Sequence, residues 1–366
     1  NINKVVYFFI FIYSMFLTSL VANEKNNKDL AIHHFMQGEF LLNQGNYALA
    51  VLEFQDALEI DPNAATIHIS IADGYRRLGR SKHAENHLEI AITLDSNDIT
   101  AREMLGQLYL LNRQYKLAEN QFFALSKIDF NNDNYLSILG DLAKLQKEWN
   151  KSIDFYLKAY QINSQNFKVL ESAMQVCLSV ELFKKAEQIC KMLVDYNINN
   201  SSYWLTYKQI TAYNKNYHNT LNAINELERI EGKSIKLTLE KSAIIQELNN
   251  IKEAIKILLK AHKPDSANAE IVKRLVSLYL EDQNFEDAEI FNMLLLREFS
   301  DDPAGHINAA IISLNNDSPQ EAIEYLEPVI ARFNDNYSAL YLIGTSYFQN
   351  KDLSNAEKYL SLSLAV

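Results

Sequence analysis

Small residues recur in one frame, with a period of 34 residues, through most of this chain. In the stretch 46–62, Ala50, Phe54 and Ala57 are spaced to share one helical face, and Pro62 follows where a helix cannot easily continue. The small residues in the same frame are Ala50, Ala84, Ala118, Ser152, Ala186, Thr220, Ala254, Ala288, Ala322 and Ala356. A fixed period in this range predicts an array of helical hairpins whose core runs along the array axis.

The amino-acid composition supports this prediction and argues against nucleic-acid binding. The 366 residues include only 9 Gly and 5 Pro, which argues against a fold rich in loops or β-strands. The net charge is −11, so nothing indicates the basic stripe that nucleic-acid binding would need.

The first thirty residues differ from the rest. Lys4 precedes the apolar run Val5–Leu17, and a polar segment starts at Asn23. This order predicts a secretory signal peptide over residues 1–22, although Leu20 is not ideal three residues before the cleavage site. Two alternatives remain open: an uncleaved membrane anchor, because residues 5–22 just reach a bilayer-spanning length, or a buried core helix. The first two place the protein outside the cytoplasm, as an exported, periplasmic or membrane-anchored chain. Residues 23–30 are predicted to be a flexible spacer.

The repeats are predicted to fill residues 31–366. They begin at Ala31, Ala65, Ile99, Asp133, Phe167, Ser201, Ile235, Ala269, Pro303 and Tyr337, and the tenth is truncated within its second helix.

Side-chain size also follows a pattern at two further positions of the repeat. Position 8 is often small, as in Gly38, Gly106 and Gly140, and position 24 is mostly large, as in Phe54 and Phe122. Small residues at positions 8 and 20 let two antiparallel helices approach, and larger side chains fill the space beside them. Repeats five and six have Met174 and Lys208 at position 8, and repeat eight has Asn292 at position 24. We expect local departures from regular packing at these places.

The pattern resembles the tetratricopeptide repeat (TPR), whose motif has Gly or Ala at position 8, Tyr at 11, Ala at 20, Phe at 24, Ala at 27 and Pro at 32. Repeat one matches at Gly38, Ala50, Phe54, Ala57 and Pro62; repeat three matches at Gly106, Tyr109, Tyr115, Ala118 and Phe122. The resemblance implies an all-α, right-handed solenoid of about ten helix-turn-helix repeats.

It also implies that positions 2, 5, 9, 12 and 13 of each first helix line a groove that binds a protein or peptide. The candidate partner-binding residues at these positions are Glu39, Asp73, Arg76, Arg77, Glu103, Gln107, Asp141, Lys144, Glu171, Leu205, Leu239 and Tyr341. Repeats one to five supply mainly acidic and polar groups, and repeats six to ten mainly apolar ones. This division favours a partner segment with basic and apolar ends. The alternative is an ordinary solvated helix face.

Two subtypes of the family do not fit this sequence. The Lys and Asn pair of the chaperone-binding subtype is replaced by Phe35 and Glu39, and the Asn ladder of the glycosyltransferase subtype is absent.

Histidine and cysteine give no strong sign of chemistry. His83 and His87 lie four residues apart on one helix, which favours a surface pair over a metal site because no third ligand can be named. His33 and His34 are adjacent and face different ways. Cys177 and Cys190 occupy packing positions and are expected to be free buried thiols, with a disulfide as the alternative.

No catalytic constellation, metal site or cofactor motif is evident, so the sequence predicts a protein that is not an enzyme. It predicts a TPR scaffold of bacterial type that holds a protein partner in the cell envelope. One alternative is the recognition arm of a larger enzyme or secretion component, and a weaker one is a cytosolic adaptor.

Overall fold

The computed structural model describes residues 27–263 and 267–366, and in these ranges the only regular structure is helical. The chain divides into two compact units, residues 1–189 and 190–366, with the boundary inside one helix of repeat five. The helices from the first unit up to that boundary are α1 (27–43), α2 (Tyr47–Ile60), α3 (Ala65–Arg77), α4 (Ser81–Leu94), α5 (Ile99–Leu111), α6 (Tyr115–Ile128), α7 (Asp133–Leu145), α8 (Trp149–Ile162), α9 (Lys168–Ser179) and α10 (Phe183–Tyr196).

The second unit continues the alternation of a first helix, a tight turn and a second helix. Its helices are α11 (Ser201–Tyr213), α12 (Tyr217–Glu231), α13 (Ile235–Glu247), α14 (Ile251–Ala261), α15 (Ala269–Glu281), α16 (Phe285–Glu298), α17 (Pro303–Asn315), α18 (Pro319–Leu326), α19 (Tyr337–Gln349) and α20 (Leu353–Ala365). The predicted all-α repeat fold is confirmed.

The amino-terminal leader lies outside the described residues. The spacer predicted over residues 23–30 is wrong for residues 27–30, which are helical and belong to α1. No helix in the described ranges has both the length and the apolar character needed to cross a membrane.

Within a hairpin, the small residue at position 8 accommodates the large residue at position 24. A Cβ placed on Gly140 would lie 2.5 Å from the ring of Tyr156, and one on Gly38 would lie 2.5 Å from the ring of Phe54. Tyr156 and Phe54 are almost fully buried. The ring therefore fills the space that glycine leaves open, which is the predicted reason for the size pattern.

Between repeats, tyrosines at position 11 bond to polar residues at position 25 of the preceding repeat. The Tyr109 hydroxyl donates to Glu89 Oε1 at 3.1 Å, and the Tyr347 hydroxyl donates to Glu327 Oε1 at 2.8 Å. Gln55 Nε2 donates to the Tyr75 hydroxyl at 3.3 Å in the same arrangement. The partners are always 20 residues apart, so this spacing is a signature of the contact between repeats.

The turn inside each repeat places position 15 in the left-handed region of backbone space. Gly45 and Gly79 hold this position in repeats one and two, with φ of 84° and 72°. In the later repeats it is held by Arg113, Lys147, Glu181, Lys215, Asn249, Gln283, Asp317 and Lys351, with φ between 56° and 66°. The turn geometry is thus conserved along the array, whereas the glycine that favours it is not.

Repeat nine departs from the pattern for a local reason. Helix α18 ends at Leu326, and a 3-10 helix follows over Ile330–Phe333. Pro328 lies between them, and proline lacks the N–H that would continue the helix.

The expected irregular positions have specific partners. Lys208, in place of a small residue, pairs with Glu240 of the next repeat. Asn292 is buried, and its Nδ2 donates to the Gly305 carbonyl at 2.8 Å. Both cysteines are free and buried, and burial raises the pKa of Cys177 to about 11 and that of Cys190 to about 12.

Candidate partner-binding surface

Two carboxylates predicted to line the groove bond to the next repeat. Glu39 Oε1 accepts a hydrogen bond from Ser70 Oγ at 2.6 Å, and Glu103 Oε1 accepts one from the Tyr135 hydroxyl at 2.6 Å. Each bond joins the first helices of successive repeats. Glu39 and Glu103 therefore hold repeats together, whatever else they contact.

Asp73 is neutralised on its own helix. It accepts a hydrogen bond from Arg76 Nε at 3.1 Å and one from Arg77 Nε at 2.8 Å. Burial alone would raise the pKa of Asp73, but the bonds from Arg77 and Arg76 outweigh it and hold that pKa below its ordinary value. Arg77 also lies over the ring of Tyr47, 5.5 Å from its centroid. Asp73, Arg76 and Arg77 thus form one cluster with an excess of positive charge.

The remaining polar candidates lie on α5, α7 and α9. Asp141 is exposed and accepts a 2.6 Å hydrogen bond from the Tyr156 hydroxyl. Gln107 and Lys144 are exposed, and Glu171 is half-buried. The side chains of Gln107 and Lys144 are therefore available to a partner.

The three apolar candidates belong to the second unit and differ in accessibility. Leu205 is 43% exposed and Tyr341 is 47% exposed, with the Tyr341 ring stacked on that of Tyr337. Leu239 is half-buried against the core around α14 and α15. Leu205 and Tyr341 can contact a partner directly, whereas Leu239 mainly packs.

Residues that the sequence analysis did not single out are more accessible than most of the candidates. Leu111 is 76% exposed and Leu145 is 55% exposed, both at position 13. Exposed Arg113 and Lys147 follow them in the turns. The sequence signal that could have identified these residues is the recurrence of leucine and a cation at the same positions of repeats three and four.

His87 is not the surface residue that the sequence analysis expected. Its Nδ1 lies 2.9 Å from Nδ1 of His68 on the facing helix α3, so one nitrogen donates and the other accepts. Burial, followed by the nearby His68 and His83, lowers the pKa of His87 to about 4. Burial likewise lowers the pKa of His68. His83 is exposed, with its ring 5.0 Å from that of Tyr75.

Three residues of repeat one could hold a metal ion. His34, Glu53 and Asp56 each offer one ligand atom, and these atoms lie within 4.8 Å of one another. His34 Nδ1 already bonds to Glu53 Oε2 at 2.9 Å, and Asp56 is exposed. The same helix-to-helix position carries the His68 and His87 pair in repeat two, so its first role is to join the two helices of a hairpin.

A cleft of about 740 Å³ lies in the second unit, beside the ends of α12, α13 and α14. Its lining includes Lys233, Lys241, Lys260 and Lys263. Lys241 is paired with Glu228 at 2.6 Å. None of the twelve predicted partner-binding residues lines this cleft.

Comparison with known proteins identifies the repeat. A family model described as tetratricopeptide repeat matches residues 18–65, 69–134 and 308–365. The human protein O-mannosyl-transferase TMTC3 is 22% identical over 355 residues, covering 94% of this chain and 36% of the relative. The chain thus spans about a third of the length of that curated relative.

Two solved structures are similar to parts of this chain at low identity. A MamA structure has a TM-score of 0.42 at 17% identity and covers 48% of this chain and 96% of MamA. The pilF structure of Pseudomonas aeruginosa has a TM-score of 0.37 at 16% identity and covers 60% of this chain and 99% of pilF.

Proposed function

Since the chain carries tetratricopeptide repeats, we propose that it is a non-catalytic scaffold that binds a protein segment through the exposed side chains of its first helices. The observation that carries this proposal is that polar and apolar side chains remain exposed at predicted groove positions of several first helices. Gln107, Lys144, Leu205 and Tyr341 are the accessible candidates. Such an arrangement suits an extended or helical partner segment that contacts several repeats.

We place this scaffold in the cell envelope. The support is the sequence of the leader, where Lys4 precedes an apolar run of the length found in signal peptides and short anchors. Either form of the leader would deliver the repeats across a membrane.

The second candidate function is a recognition arm within a larger enzyme or assembly component. One observation favours it: the curated relative is far longer than the region matched here. Reading the genomic frame around this sequence would test it, because an adjoining catalytic domain would support the arm and a frame confined to the repeats would contradict it.

The scaffold proposal is tested by capturing partners with the full chain from envelope extract and identifying them by mass spectrometry. The test variants are Leu205→Arg and Tyr341→Arg. The control is Ile290→Arg, because Ile290 is 57% exposed on a second helix, outside the predicted surface. We expect a small set of partners that both test variants lose and the control keeps. Retention of every partner by both test variants would contradict the proposed surface.

A further inference from the structure

Cations are concentrated on the turns of repeats two to four, although the chain as a whole is acidic with a net charge of −11. These turns carry Arg80, Arg113 and Lys147, and Lys144 lies just before one of them, in the last helical turn of α7; all four are exposed. In the part of the chain that the structure describes, none of the four takes part in an ion pair. We call these four residues, together with Leu111 and Leu145, the basic edge.

This concentration is not a general feature of the repeat. The corresponding turns of repeats seven to nine carry Glu247, Glu281, Asp282 and Asp317 and no Lys or Arg. Repeats six and ten place a single lysine there, Lys215 and Lys351. A solvated turn in this chain therefore does not require several cations.

The structure places neighbouring turns of the basic edge side by side. Tyr135 on α7 bonds to Glu103 on α5, which brings the first helices of repeats three and four together. Gln146, in the turn of repeat four, donates to Glu119 on α6 at 3.2 Å. These contacts hold the parts of the edge in repeats three and four together.

Three carboxylates of repeats three and four already have partners. Glu119 accepts hydrogen bonds from Lys116 and Lys151, and Glu148 pairs with Lys151 at 2.8 Å. Asp141 accepts the bond from Tyr156. The four cations are exposed and take part in no ion pair within the described residues, so a partner can supply the opposite charge.

The two leucines specify the rest of the partner. Leu111 and Leu145 occupy the same position in adjacent repeats, and each lies one helical turn after a polar side chain, Gln107 or Asp141. The amide of Gln107 and the carboxylate of Asp141 can accept hydrogen bonds from the backbone N–H groups of a peptide, donors that the phosphate groups of an anionic lipid surface lack.

We infer that the basic edge is a docking surface for an acidic protein segment that carries leucine-like side chains at intervals. Acidic side chains would pair with the four cations while the apolar side chains cover Leu111 and Leu145. The inference rests on the proposed scaffold function and specifies the chemistry of the partner that binds one surface of the scaffold. The acidic partner inferred for this edge is opposite in charge to the basic partner expected from the sequence.

The test uses the full chain and a fluorescein-labelled synthetic peptide of repeated Glu-Glu-Leu triplets, with binding followed by fluorescence anisotropy. One variant combines Arg113→Glu and Lys147→Glu, and another combines Leu111→Ser and Leu145→Ser. The matched control combines Lys215→Glu and Lys351→Glu, because these lysines occupy the same left-handed turn position outside the edge.

We expect each edge variant to weaken binding by about tenfold, a change of roughly 1.4 kcal/mol, and the control to leave it within about twofold. A peptide of Glu-Glu-Ser triplets should bind more weakly than the leucine peptide. Equal loss in the edge variants and the control, or no binding of the leucine peptide, would overturn the inference.

Vesicles of equal parts phosphatidylcholine and phosphatidylglycerol are the second probe. Binding to vesicles that the edge variants abolish, without binding to the peptide, would assign the edge to membranes and overturn the peptide inference. Circular dichroism of every variant checks that the fold is kept. If the peptide fails while envelope partners are still lost on Leu205→Arg and Tyr341→Arg, the scaffold function stands and only this edge assignment falls.

Discussion

The hydroxyl of Tyr156 donates a 2.6 Å hydrogen bond to Oδ1 of Asp141, which ties a buried ring on α8 to an exposed carboxylate on α7. Burial and this hydrogen bond raise the pKa of Tyr156, so the phenol stays protonated and continues to donate at neutral pH. Ser152 Oγ donates to the Gly140 carbonyl at 2.8 Å in the same hairpin. Asp141 is therefore part of the structure of repeat four as well as a candidate for partner contact.

Tyr156→Phe should destabilise the first unit by about 1–2 kcal/mol, because it removes one hydrogen bond to a charged group and keeps the ring. Urea unfolding followed by circular dichroism measures the change. Tyr160→Phe is the control, since Tyr160 is half-buried on the same helix and takes part in no hydrogen bond within the residues that the structure describes. Equal effects of the two substitutions would show that the bond to Asp141 contributes nothing.

Gly140→Ala should destabilise the protein by about 1–3 kcal/mol, because the new Cβ would meet the Tyr156 ring at 2.5 Å. In a Tyr156→Ala background the same change should be stabilising by up to about 1 kcal/mol, since alanine is the better helix former. A double-mutant cycle of urea unfolding measures this reversal of sign. A cost that is the same in both backgrounds would show that the ring is not what excludes a side chain at position 8.

The regular packing could be predicted from sequence because it depends on residue size in a fixed frame. Gly38 and Gly140 face large rings at position 24, as their spacing indicated. The break in repeat nine was also accessible in principle, since Pro328 interrupts a helix wherever it occurs.

The use of the polar side chains could not be predicted, because it depends on the register between neighbouring repeats. Glu39 and Glu103 occupy predicted groove positions, but their bonds to Ser70 and Tyr135 join successive repeats. Likewise, two histidines on facing helices, His68 and His87, are 19 residues apart, and their contact follows only from the crossing of α3 and α4.

Gly79→Ala should destabilise repeat two by about 1 kcal/mol or somewhat more, because φ is 72° and an L side chain is strained there. The site has nothing within 4 Å of an added Cβ, so the effect is of the backbone alone. Gln283→Gly, at the same turn position with φ of 57°, should have the opposite sign and stabilise by up to about 1 kcal/mol. Thermal unfolding of both variants measures the pair. The turn argument fails if both changes shift stability in the same direction.

Stability should fall as the pH is lowered from about 6.5 to about 4, because of the histidine pair in repeat two. His87 is neutral in the folded chain with a pKa of about 4, whereas an unfolded histidine titrates near its ordinary value. The unfolded chain therefore binds the extra proton first, and this contribution to folding is complete above about pH 6.5, declines through that window and is lost below about pH 4. The loss should be of the order of 2 kcal/mol, less than full burial would give because His87 keeps contact with water.

Amide hydrogen exchange in α3 and α4 at several pH values measures this loss of stability locally. His87→Gln should flatten this pH dependence, as Gln121 occupies the same position in repeat three and accepts a 2.9 Å bond from Arg102. His218→Gln, at an exposed histidine, should leave it unchanged. If the slope persists in His87→Gln, some other group titrates there and the neutral pair is not its cause.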